Sequence, residues 1–151
     1  MGRSSKQVQE LIDHLHSEHN ELQQALAGVR PRSFRAGEGP ARLRRVRELL
    51  RRHISRERER LYPPLEAAAR ENAELADRLR LLGDDLRIVS DLAEEFVNKY
   101  TAKETAESLA LGNARLIEFA TDHGALLTIL RIRLRREEEQ LFPLYSALIR
   151  N

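Results

Sequence analysis

The chain has 151 residues, 41% of them apolar, which suits one domain with one ordinary core. It has no cysteine, so disulfides, thiolate zinc sites and thiol catalysis are excluded, and its opening residues hold no apolar run long enough for a signal peptide or a membrane span. The formal net charge is only +2, and the basic residues are almost all arginine, so the sequence pI of 9.3 overstates the cationic character; a soluble, cytoplasmic protein is expected.

Residues 1–5 are expected to form a flexible N-terminus. Val8, Ile12, Leu15, His19, Leu22 and Leu26 then recur at steps of four and three, an amphipathic helical stripe broken only by His19. Pro31, Gly37, Gly39 and Pro40 interrupt the pattern and predict a loop over about 29–40. Val46, Leu50, His53, Glu57 and Leu61 form a second stripe. Pro63 and Pro64 should end or kink that helix, with residues 65–70 placed to resume it. A third stripe reads through Leu81, Asp85, Ile88, Leu92 and Phe96 and lapses at 100–103. The last runs through Leu126, Leu130, Leu134, Glu137, Leu141, Leu144 and Leu148, with Gly112 and Gly124 as places to start late or bend. Strand-like alternation is missing. The expected fold class is all-α: one domain over 1–151, built as an up-down-up-down antiparallel four-helix bundle.

One phrase occurs twice. His53-x3-Glu57-x3-Leu61-Tyr62-Pro63 returns as Arg133-x3-Glu137-x3-Leu141-Phe142-Pro143. A His-x3-Glu pair sets an imidazole and a carboxylate one turn apart on one helix face, as a bundle does when it offers metal ligands. His19, His53, Glu57 and Glu137 each occupy a stripe position that calls for an apolar residue. A buried carboxylate costs several kcal/mol unless it is paired or bound to a cation. Imidazole and carboxylate together suit iron, manganese or zinc.

In this ordered set the sequence resembles the hemerythrin-like family, the HHE cation-binding domains, over nearly its whole length. The resemblance implies a helical bundle with a non-haem diiron site that binds or senses oxygen, nitric oxide or iron. His19 matches the first-helix ligand, with His16 as a less well phased alternative. His53 and Glu57 match the second-helix pair, and Glu137 the fourth-helix carboxylate. Aligning the internal echo, in which Glu18-His19 precedes Leu22 as Asp84-Asp85 precedes Ile88, sets Asp85 where the third-helix histidine belongs. The doubled phrase sets Arg133 where the fourth-helix histidine belongs.

Arg133 has no lone pair to give a metal and stays charged. An Asp85–Arg133 ion pair filling one half-site is therefore expected, with Arg133–Glu137 pairing one turn on as the alternative. Three readings of the centre stay open. Two ions are held by His19, His53, Glu57, Glu137 and Asp85; or one ion is held by His19, His53 and Glu57; or none binds, and the fold serves as an interaction or regulatory module. The expected partners are a metal ion and a small diatomic ligand, with a protein partner or a second copy carrying any signal.

His123 is too far along its helix to join the cluster; a core or helix-start role is expected, with Thr121 or Asp122 as cap. The arginine run from Arg42 to Arg60 lacks stacking aromatics or a nucleic-acid module, and a solvated helix face is expected there. No nucleophile with a base partner and no phosphate loop points to catalysis.

Overall fold

The computed structural model describes residues 4–112 and 115–150. Of the expected N-terminal stretch 1–5, residues 1–3 lie outside the described residues. Every regular element described is helical. Helix α1 (Ser5–Ala27) opens on a capping box, in which the Ser4 hydroxyl accepts from the Gln7 amide and the Gln7 side chain returns to Ser4. Its predicted stripe is buried in full, from Val8 to Leu26.

The region read as a loop contains a short helix, α2 (Pro31–Arg35), started by a proline that needs no amide partner there. Helix α3 (Gly39–Arg56) follows at once. Gly39 is required by close approach: a Cβ at that position would collide with the Phe34 ring.

The proline effect is finer than a kink. Residues Glu57–Leu61 form a π turn, in which the Tyr62 amide donates to the Glu57 carbonyl, before α4 (Tyr62–Ala69) resumes α-geometry. Two adjacent prolines withdraw two amides from the ladder, and the wider turn accommodates the loss. The same device recurs at Glu137–Leu141, ahead of Phe142-Pro143. Each extra residue rotates the downstream helix, so past the second π turn the buried positions are Phe142 and Tyr145 rather than Leu144 and Leu148.

Helix α5 (Ala73–Thr101) is capped by the Asn72 side chain, which accepts from the Leu75 amide. Here the predicted stripe is out of phase. The buried face is Leu75, Leu79, Leu82, Leu86, Val89, Ala93 and Phe96, whereas Leu81 is 59% and Ile88 52% exposed. Helix α6 (Lys103–Leu111) stands apart from α7 (Leu116–Arg136), which passes through Gly124 unbroken and leads by the second π turn into α8 (Phe142–Arg150).

Helix α3 packs on both α1 and α5, and α7 on both α5 and α1. Cross-links run in opposite senses along neighbouring helices: Glu21 to Arg45 and Glu18 to Arg56, Glu94 to Arg51 and Asn98 to Arg47, Asp85 to Arg136 and Asp122 to Lys99. Four residues of the arginine run, Arg42, Arg45, Arg51 and Arg56, are thereby engaged with carboxylates.

His123 lies inside α7 and donates from Nε2 to the Leu26 carbonyl at 2.7 Å, while Asp122 accepts from Tyr100 Oη at 2.6 Å instead of capping. Among the described residues no helix is long and apolar enough to cross a membrane.

The apolar interior divides in two. One cluster gathers Leu22, Leu26, Leu50, Leu86, Phe96, Leu130 and Leu134; the other gathers Leu15, Leu61, Leu65, Leu79, Leu82, Leu141 and Tyr145. Where the two clusters meet lie His19 on α1, His53 and Glu57 around the end of α3, and Arg133 and Glu137 around the end of α7. The stripe positions that break the apolar pattern are thus one polar layer across the bundle.

Candidate metal centre

Four side chains meet in that layer. His19, His53, Glu57 and Glu137 are all buried, and one ligand-type atom from each lies within 4.8 Å of all the others. His53 Nε2 stands 2.6 Å from Glu57 Oε1 and 3.0 Å from Glu137 Oε1; His19 Nε2 stands 3.1 Å from the same Glu137 oxygen and 3.2 Å from His53 Nε2. His19 stands at this level, and His16 lies beside it in a second group with His19 and Glu138. His16 is half-exposed and its Nδ1 contacts Glu138 Oε1 at 2.6 Å.

Hydrogen bonding does not account for this convergence. A single imidazole N–H cannot point at three neighbours at once, and when Glu57 is ionised neither of its buried oxygens has an aligned hydrogen-bond donor. Donors around a cation with bonds of about 2.0–2.2 Å stand about 3 Å apart, which is the spacing found among the His19, His53 and Glu137 atoms, with Glu57 within 4.8 Å of each. Two imidazoles and two carboxylates are a donor set for iron, manganese or zinc. On orphaned oxygens, spacing and chemistry, the residues fit one cation.

Protonation follows the same crowding. Burial and the Glu137 charge push Glu57 up to about 8, with His53 pulling the other way. Burial also opposes ionisation of Glu137, but its interactions with Glu57, His19 and His53 hold it well below the usual carboxylate range. Burial disfavours charge on His53 too, yet Glu137, Glu18 and Glu57 outweigh it and raise the imidazole well above its ordinary value. Without a cation the layer therefore holds protons on Glu57 and His53 and a negative charge on Glu137.

Sequence reasoning missed the supports of the centre. The Glu18 carboxylate lies 3.2 Å from His53 Nδ1 and accepts from Arg56 Nε at 3.2 Å, so Nε2 of His53 is the nitrogen turned to the centre. Glu138 lies 3.6 Å from His19 Nδ1. The aromatic residue of each repeated phrase also supports the layer: Phe142 stacks on His19 of α1 at 5.4 Å between centroids, and Tyr62 Oη accepts from Arg133 of the other copy at 3.1 Å. The only sequence signal for Glu18 was its place beside His19, which does not reveal the helix crossing that carries it to His53.

Arg133 fills the other half of the layer. Its guanidinium is 2% exposed and donates to Glu137 Oε2 at 3.0 Å, to the Leu82 carbonyl and to Tyr62 Oη. Glu137 thus turns one oxygen to the histidines and the other to a fixed cation. The ion pair expected between Asp85 and Arg133 does not form. Asp85 is 37% exposed and binds Arg136 at 2.5 Å, outside the cluster of four. The reason is the phase of α5, which presents Leu82 and Leu86 to the interior at this level, so Asp85 faces α7 near the surface. With a guanidinium in place and no acidic or imidazole donor from α5, this half of the layer does not fit a second cation.

A family model described as the Hemerythrin HHE cation binding domain matches residues 11–145. No curated protein and no solved structure matches the chain.

Proposed function

The chain belongs to the hemerythrin HHE cation-binding domain family, and from that premise we propose that it holds a single non-haem iron ion for binding or sensing oxygen, nitric oxide or iron. His19, His53, Glu57 and Glu137 are its ligands, carried in an up-down-up-down four-helix arrangement. The observation that carries this reading is the convergence of four buried side chains, two imidazoles and two carboxylates, whose ligand-type atoms all lie within 4.8 Å of one another. Bound iron would supply a redox-active centre able to take a small diatomic ligand.

The protein's own residues do the rest. Glu18 fixes the ring of His53, Phe142 holds that of His19, and Arg133 balances the outer oxygen of Glu137 while denying its place to a second ion. A metal-free interaction module is the weaker reading, because it buries two imidazoles and two carboxylates together with no cation for them to share.

The reading has a pH signature. A ligating imidazole must lose its Nε2 proton and a ligating carboxyl its own, so uptake exchanges protons for the cation. Because Glu57 is raised to about 8 and His53 is raised as well, those protons are present at pH 6 and leave as pH climbs. Ferrous titrations under anaerobic conditions are expected to show affinity rising by about tenfold or more per pH unit between 6 and 8, with proton release measurable in buffers of different ionisation enthalpy. Affinity independent of pH over that window would contradict ligation by these groups.

A further inference from the structure

A groove of about 740 Å³ runs outside the polar layer, between the α3–α4 segment and α5. Its floor is apolar, made by Ile54, Leu79 and Leu86 with the ring of Tyr62. Along one wall the lining residues recur from 54 to 70 at helical spacing, so the groove follows the helix for about 24 Å and is long rather than round. Gly83 lies opposite Tyr62, and a Cβ built on it would meet nothing within 4 Å. A glycine inside a long helix weakens it by about 0.5–1 kcal/mol relative to alanine, and here no crowding demands it. What the missing side chain provides is an open channel.

The rim is charged and lopsided. Arg58, Arg70, Arg80 and Arg87 face it against two carboxylates, Glu66 and Asp91. Among the described residues Arg58, Arg70 and Arg87 have no hydrogen-bond or ion-pair partner, and Arg80 reaches only the exposed Asp77 at 3.6 Å. On the opposed walls Arg58 and Arg87 stand at one level, since the chain directions are opposite and Ser90 faces the region of Ile54. An apolar channel of this length with two unpartnered guanidinium groups at one level suits an extended hydrocarbon chain ending in an anion.

We propose that this groove binds a linear long-chain carboxylate, its tail laid over Gly83 and Tyr62 and its head group held by Arg58 and Arg87. The site is separate from the four candidate ligands, so it is tested on metal-free protein and its outcome is independent of the iron reading. The probe is dodecanoate below its micelle concentration, followed by calorimetry. Saturable 1:1 binding is expected.

Gly83→Met, which fills the channel, and the pair Arg58→Glu with Arg87→Glu, which reverses the head-group site, should each weaken binding at least tenfold. Circular dichroism is expected to show unchanged helix content in both variants. Dodecanol, with the same tail and no charge, should bind at least tenfold more weakly than dodecanoate. Three results would overturn the proposal: no saturable binding, equal affinity for dodecanol, or folded variants that bind like the parent. Sedimentation with anionic phospholipid vesicles without binding of free dodecanoate would likewise overturn it, in favour of a membrane surface.

Discussion

Replacing His53 by alanine is expected to abolish cation binding. His53 Nε2 is the atom nearest to both candidate carboxylates, at 2.6 Å from Glu57 and 3.0 Å from Glu137, and Glu18 holds its far nitrogen. Partners that only orient a ligand are worth about 10–100-fold in metal affinity, so losing the ligand atom itself should exceed about 100-fold. The measurement is ferrous binding by calorimetry at pH 8, with Lys6→Ala as the control because Lys6 is exposed, pairs with Glu10 and lies outside the cluster of four. Binding by His53→Ala within threefold of the parent would remove His53 from the centre.

Replacing Arg133 by leucine is expected to destabilise the metal-free fold by about 3–5 kcal/mol, the usual consequence of stripping one partner from a buried ion pair. The change leaves Glu137 Oε2, the Leu82 carbonyl and Tyr62 Oη without the donor they share. For a domain of this size the melting midpoint should fall by about 6–20 °C. Removing both charges, by Arg133→Leu with Glu137→Leu, should recover much of the loss, since a paired apolar replacement strands no charge. Urea unfolding of the three proteins decides it. A single variant as stable as the parent would show that Arg133 is dispensable to the layer.

These two expectations draw on features of unequal legibility. On α1 and α3 the apolar stripe is singular, so His19, His53 and Glu57 announce themselves by breaking it, and all three are buried. On α5 two apolar stripes compete. The one through Leu81 and Ile88 echoes α1 in sequence, but the one through Leu79, Leu82 and Leu86 is longer and packs on both neighbouring helices. The echo carried Asp85 inward with it, and that single error of phase generated the Asp85–Arg133 pair.

Arg133 itself was readable as a non-ligand from its chemistry, and its pairing with Glu137 follows from i,i+4 spacing. The π turns also have a signal in the sequence. Each copy of the phrase ends in proline, and a missing amide just after a ligand position calls for a wider turn. Those turns begin on Glu57 and Glu137, so the repeated phrase encodes the backbone that carries both carboxylates as well as the carboxylates themselves. Glu18 and Tyr62 had no comparable signal, because their roles depend on which residue of another helix stands opposite.

The central claim is one cation per chain, bound by four residues beside an arginine that occupies the place of a second. Elemental analysis of protein loaded anaerobically with excess ferrous iron and freed of unbound metal by gel filtration tests it most directly. One iron per chain is the predicted result. Two per chain would mean that Arg133 does not close the other half-site, and none would mean that the His19, His53, Glu57 and Glu137 cluster is not a metal centre.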